Sequence, residues 1–224
     1  MAKFHPKKLL VEGDDDKRVI PELMDKYVVW GEKKSEAVVL IESFDGVEQL
    51  LKAGVIEAEL NISNLEALGI IIDADDQRDK RWTTVSRQCR DVIPDFPEEL
   101  PVEGLIHVAP SGLRVGVWIM PDNQSTGMLE TFLSEMIPSD QDPLWIYAQQ
   151  ARVEAKNHGA LYKDAHCHKA NIHTFLAWAN PPGQQLHSAI LQKSLDTMTP
   201  LGRRFARWFV ELFDLSPRDP TVLQ

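Results

Sequence analysis

Two short acidic segments in this chain each follow an apolar run. Leu9-Leu10-Val11 stops at Glu12-Gly13-Asp14-Asp15-Asp16, and Ile70-Ile71-Ile72 stops at Asp73-Ala74-Asp75-Asp76. Carboxylates gathered at one place repel each other unless a cation lies between them. Hard divalent ions such as Mg²⁺ or Mn²⁺ bind through one or two protein carboxylates while keeping water and phosphate oxygens, so metal-assisted phosphoryl chemistry is the first expectation. Asp73 and Asp75 lie two apart, so at the end of an extended strand they face the same way and can share one ion. Glu12, on an adjacent strand, can hold that ion or move a proton. Asp16, in the first turn of the following helix, can reach the same place and joins the candidate ligands. Gly13 allows close backbone approach at the turn.

The elements that must position these acids are legible from periodicity. Both apolar runs read as buried parallel strands, and in open α/β sheets ligands gather at the carboxyl ends of the strands. Strand one is placed at about Lys8 to Glu12, with a helix starting near Asp14 as its N-cap, and with Pro21 tolerated if that helix begins late. Ala37 to Ile41 reads as a strand and Asp45 to Leu51 as a helix start. Arg78 to Ile93 reads as a helix with Trp82, Val85, Cys89 and Val92 on one stripe. Leu105 to Ala109 and Arg114 to Met120 read as paired strands turning at Pro110-Ser111-Gly112. After Gly127 the pattern turns helical: Met128 to Ile137, Leu144 to Asn157, Lys169 to Ala179, Ser188 to Leu195 and Leu201 to Phe213. The predicted fold class is α/β: a mostly parallel central sheet flanked by helices, comprising residues 1–137, with a helical carboxyl extension, residues 138–224, packed on it as one folding unit. The aromatic stripe Phe205, Trp208, Phe209 and Phe213 is read as core in preference to a partner groove.

Composition bounds the function class. The chain has 224 residues, 43% hydrophobic and 26% charged, the profile of an ordinary globular protein. Its formal charge of −10, from 34 acids against 24 Lys and Arg, argues against coating nucleic acid by bulk electrostatics, although a nuclease that binds through cations is compatible with it. No apolar run approaches the ~20 residues of a membrane helix, and the Met1-Ala2-Lys3 start leads straight toward the first strand, so a cytoplasmic location without membrane association is expected. Cys89 and Cys167 are read as plain thiols. Ala165-His166-Cys167-His168, with His158 and His173, lacks any CxxC or HExxH partner and is read as loop histidines or a phosphate contact in preference to a zinc site. GxxxxGK[ST], GxSxG and GxGxxG are all missing, which removes support for ATP hydrolysis or serine-nucleophile chemistry.

Taken together, Leu9-Leu10-Val11-Glu12-Gly13-Asp14-Asp15-Asp16 and Ile70-Ile71-Ile72-Asp73-Ala74-Asp75 resemble the Toprim domain shared by topoisomerases, bacterial primases and the overcoming-lysogenization-defect nucleases. Gly116 to Asn123, Gly127 to Glu130 and Lys169 to Trp178 extend the likeness over nearly the whole chain, to a small bacterial Toprim-like family of unknown function. The resemblance implies a Toprim-like fold, metal binding by Asp73 and Asp75, and metal binding or general acid–base duty for Glu12. It also implies that Glu130 contributes a second metal ligand, with Asp122 in reserve, and that Lys169 is the basic residue near the scissile phosphate, catalytic together with Glu12. Two ions about 3.5–4 Å apart can stabilise both the attacking and the leaving oxygen of a phosphodiester. The function implied is Mg²⁺- or Mn²⁺-dependent cleavage of DNA or RNA, with a separately encoded ATPase as partner and a homodimer as a compatible assembly. The alternative is a non-catalytic, metal-stabilised module that binds nucleic acid or protein. Asp14 is read as capping, Asp76 and Asp79 as solvated acids, and Asp15 is left open between the two readings.

Overall fold

The computed structural model describes residues 4–31 and 37–223; the Met1–Lys3 start lies outside them. A five-stranded sheet is built from β1 (Lys7–Val11), β2 (Leu40–Ser43), β3 (Ala67–Asp73), β4 (Leu105–Val108) and β5 (Arg114–Met120), in the order β2-β1-β3-β5-β4. All neighbours are parallel except β4, which runs antiparallel to β5. The helices are α1 (Asp14–Met24), α2 (Val47–Leu50), α3 (Val55–Leu60), α4 (Arg78–Arg90), α5 (Leu129–Ser134), α6 (Pro143–Asn157), α7 (Cys167–Ala177), α8 (Leu186–Leu191) and α9 (Pro200–Leu212). Among the described residues no helix is long and apolar enough to cross a membrane.

Strand alternation sorts the side chains into two layers. Leu9 and Val11 of β1, Ala67 and Ile71 of β3, and Trp118 and Met120 of β5 face one core, completed by α1 and by α5 to α9. Leu10, Leu68, Ile70, Ile72, Val115, Val117 and Ile119 face the other, covered by α2, α3 and α4 through Leu50, Ile56, Leu60, Trp82, Val85 and Cys89. Both faces are therefore apolar, which is why β3 reads as an unbroken hydrophobic run.

The first core depends on two glycines. Gly69 of β3 and Gly116 of β5 are cross-strand partners, and a Cβ at Gly116 would lie 2.5 Å from Leu212, one at Gly69 2.9 Å from Phe213. Their bare backbone lets α9 lie close against the sheet. Phe205, Trp208 and Phe209, all buried, continue that contact over Trp118 and Phe132. The Trp208 indole donates to the Leu105 carbonyl at 2.9 Å, and the Tyr27 hydroxyl to Thr197 O at 2.6 Å. The helical third shares one apolar core with β1, β3 and β5.

Several boundaries differ from expectation. The second strand lies at Leu40–Ser43 in place of Ala37–Ile41, because only the later residues meet β1 in register. Helix α1 begins at once, so Pro21 falls in its interior with Asp25 N–H still donating to the Pro21 carbonyl. The N-cap is Gly13; Asp14 is already helical and accepts from the Ser43 hydroxyl at 2.7 Å.

A candidate metal centre at the carboxyl edge of the sheet

Three elements meet where β1 and β3 end. Glu12 follows β1, and its Oε1 accepts from the Asp73 amide across the parallel pair at 2.7 Å. Asp73 continues the alternation of Ala67, Gly69 and Ile71 and so faces the layer that holds α5, where its Oδ1 accepts from Leu129 N–H at 2.9 Å. Asp16, only 7% exposed, turns back from α1 to accept from Gly13 N–H at 3.1 Å. Glu130 follows Leu129 on α5 and is 3% exposed; its Oε1 pairs with Lys169 Nζ of α7 at 2.6 Å.

These residues line an open cleft of about 300 Å³, together with Asp14, Asp15, Asp45 and the backbone of Gly13 and Gly46. Four acids largely withdrawn from water face one lysine there. Burial pushes the Glu12 carboxyl up to about 7; the Asp73 amide and Arg81 act downward, while Asp16 and Asp75 add repulsion. Burial likewise raises Asp16 to about 7, with Glu130 repelling it and the Gly13 amide offsetting part of the effect. Asp73 is held well above the usual carboxylate range, first by desolvation and then by repulsion from Asp16, Glu12, Glu130 and Asp75. For the Lys169 ammonium, burial acts to lower the pKa and is overcome by the Glu130 hydrogen bond and the surrounding negative charge, so it stays firmly protonated.

Asp75 stands apart from the arrangement expected of it. The strand ends at Asp73, and Asp75 adopts φ +49°, so the two-residue alternation that would aim both acids alike is lost. Its side chain meets Arg81 of α4 at 2.8 Å. Its backbone makes a two-way bridge with Gly127, 2.7 and 2.8 Å, which fastens the loop leading into α5 and thereby sets Leu129 and Glu130 beside Asp73. Asp122 lies outside the cleft lining. It closes a local turn by accepting from Gln124 N–H, Ser125 N–H and the Ser125 hydroxyl, and these bonds hold it below its usual range despite burial.

The donors in the cleft are carboxylate oxygens, which match hard divalent cations. Among the described residues no three His, Cys, Asp or Glu side chains are already gathered around one point. The physical reason is visible in the bonding: each acid uses one oxygen to hold a neighbouring element, and Asp75 and Glu130 are engaged by Arg81 and Lys169. His158, His166, Cys167, His168 and His173 likewise form no ligand group.

Sequence reading missed Arg81, Asp45 and Leu129 N–H. Arg81 had a signal, since it falls one helical turn after Arg78 at the start of the helix that follows Asp73 and Asp75. Asp45-Gly46 is a turn dipeptide, with φ +52° and +110°, placed directly after β2. A backbone donor such as Leu129 N–H leaves no mark in side-chain types.

No curated protein matches the chain. Among solved structures, the C-terminal region of the Xanthomonas campestris pv. campestris OLD protein aligns at 18% identity over 98% of this chain and 91% of that one, with a TM-score of 0.36, a likeness too loose to bear on function. The family described as "Protein of unknown function (DUF3226)" matches residues 6–214, and this chain belongs to it.

Proposed function

We propose that the protein is a Toprim-like nuclease that cleaves nucleic-acid phosphodiesters with the help of Mg²⁺ or Mn²⁺. The observation that carries this reading is the convergence of Glu12, Asp16, Asp73 and Glu130 with Lys169 in one cleft at the carboxyl ends of β1 and β3. Acids buried among other acids repel one another, and the backbone hydrogen bonds that Glu12, Asp16 and Asp73 accept offset only part of the cost, so their carboxyls are held above the usual range. Asp16, Asp73 and Glu130 would hold the ion, joined by Asp75 from the turn after β3. When bound, the ion supplies charge neutralisation of the phosphodiester and a water of lowered pKa. Glu12, whose carboxyl titrates near neutrality in the cation-free cleft, is suited to take a proton from an attacking water. Lys169, its side chain 47% exposed, is suited to hold a phosphate oxygen while retaining Glu130.

One observation favours a second reading, a non-catalytic module that binds nucleic acid or a protein partner: the acids are close without three being gathered around a point. Incubating the purified protein with DNA or RNA in Mn²⁺, with and without EDTA, separates the two. The nuclease reading expects cleavage that EDTA abolishes, that Glu12→Gln removes, and that Lys169→Ala weakens by about tenfold, since that change deletes one charged contact. Equal cleavage by wild type and Glu12→Gln would mark a contaminant. No cleavage of any substrate, alone or with a separately encoded ATPase, would favour the binding module.

A further inference from the structure

Arg81 reaches Asp75 from α4, and its bonding is incomplete. Its side chain is 18% exposed, one terminal nitrogen holds Asp75 at 2.8 Å, and its Nε is fully buried without any hydrogen-bond partner. An unpaired buried guanidinium N–H is costly, and the groups that suit it are anionic oxygens set for a fork-like contact. Asp75 meanwhile lies close enough to Glu12 and Asp73 to repel both, yet its carboxylate is turned to α4. Each member of this pair is thus held by the other beside the cleft, outside the residues that line it, with Arg81 near enough to Glu12 to draw its pKa down.

Building on the nuclease reading, we propose that Arg81 is a positioning residue that trades Asp75 for a phosphate oxygen. In the ligand-free protein it holds Asp75 away from Asp73. When a phosphodiester enters, the guanidinium turns its free N–H to the phosphate, and Asp75 is released toward the cation. Cation and phosphate therefore bind cooperatively, each making room for the other, and the cleft resists loading with metal alone. The coupling is reciprocal, so the cation must also tighten phosphate binding.

Calorimetric titration of Mn²⁺ into wild type, Arg81→Gln, Asp75→Asn and the double variant tests this, with circular dichroism and melting temperature recorded for each. Arg81→Gln is expected to bind Mn²⁺ about tenfold more tightly than wild type, since it removes both a nearby positive charge and the competitor for Asp75. In the Asp75→Asn background the same substitution should give a clearly smaller gain. Excess dimethyl phosphate should tighten Mn²⁺ binding by wild type and leave Arg81→Gln unmoved. Equal gains in both Asp75 backgrounds would reduce Arg81 to a bulk charge and overturn the proposal, as would an identical response of both proteins to dimethyl phosphate. Should Arg81→Gln lose its fold, Arg81→Lys keeps the charge without the fork, and a wild-type-like phosphate response from it would also overturn the exchange. Failure of all proteins, wild type included, to bind Mn²⁺ would instead remove the metal reading on which the exchange rests.

Discussion

The two ends of the same parallel strands are built on opposite principles. At the amino ends of β1, β3 and β5 lies the larger cavity, about 870 Å³, lined by Lys7, Glu66, Arg114 and Asp214 among apolar residues. Charges there are matched: Asp214 pairs with Arg114 at 3.4 Å, and its carbonyl accepts from Lys7 at 3.3 Å. At the carboxyl ends the cleft is smaller, about 300 Å³, and acids outnumber bases. Size and chemistry separate here. A cavity whose charges are already matched offers a ligand little, whereas a cleft of desolvated, mutually repelling carboxylates favours a positive ligand.

The sharpest way to break this contrast is Asp73→Asn. It keeps the shape and the acceptor for Leu129 N–H while deleting one repelling charge. Mn²⁺-dependent cleavage is expected to fall on the order of a thousandfold, yet the metal-free protein should melt at a higher temperature than wild type. A calorimetric scan in EDTA beside a nuclease assay checks both, and a lower melting temperature would show that the acids do not destabilise the cation-free fold.

Gly116→Val strikes midway between the two ends. The added side chain must displace Leu212, so unfolding in urea should reveal a loss of about 1–3 kcal/mol or more. Both edges would weaken together, because α9 rests on the strands that run between them.

A pH series distinguishes the edges more gently. A carboxyl whose folded-state pKa is raised from about 4.5 to about 7, as for Glu12, stabilises the fold fully below the lower value and ceases to do so as pH passes the upper. Metal-free protein should therefore lose stability between about pH 4.5 and 7, with Asp16 contributing in the same direction. Millimolar Mg²⁺ should restore stability at the alkaline side of that window. Denaturant midpoints measured across it in EDTA and in Mg²⁺ provide the comparison, and two parallel curves would count against cation binding at these acids.

The smallest effect belongs to the amino edge. Arg114→Ala removes one partly exposed ion pair, so stability should change by no more than about 0.5–1 kcal/mol, and Mn²⁺ affinity should not change at all. A shift in the Mn²⁺ titration would mean that the two ends communicate.

How much of this was legible in the sequence follows from which physical signals the residues carry. The mixed α/β architecture with a mostly parallel sheet could be read because β1, β3 and β5 carry the apolar runs Leu9–Val11, Ile70–Ile72 and Val115–Met120, as strands buried on both faces do. The paired strands Leu105 to Ala109 and Arg114 to Met120 could be read because Pro110-Ser111-Gly112 separates them. Strand β2 was misplaced because Ala37-Val38-Val39 looks equally strand-like in isolation, and register with β1 decides. At the cleft, Glu12, Asp16 and Asp73 were named from motif and spacing and Glu130 from the family resemblance, and all four line one cleft. The direction of Asp75 was not accessible, because it depends on a positive φ and on Arg81, a partner one element away.

The facing glycines of β3 and β5 also constrain how the chain comes into being. The trough they leave exists only after Ala67–Asp73 has paired with Arg114–Met120, and the helix that fills it, Pro200–Leu212, is made some eighty residues later. During synthesis the sheet must wait with Trp118 and its neighbours uncovered, a long-range closure of the kind that slows folding and invites association between nascent chains.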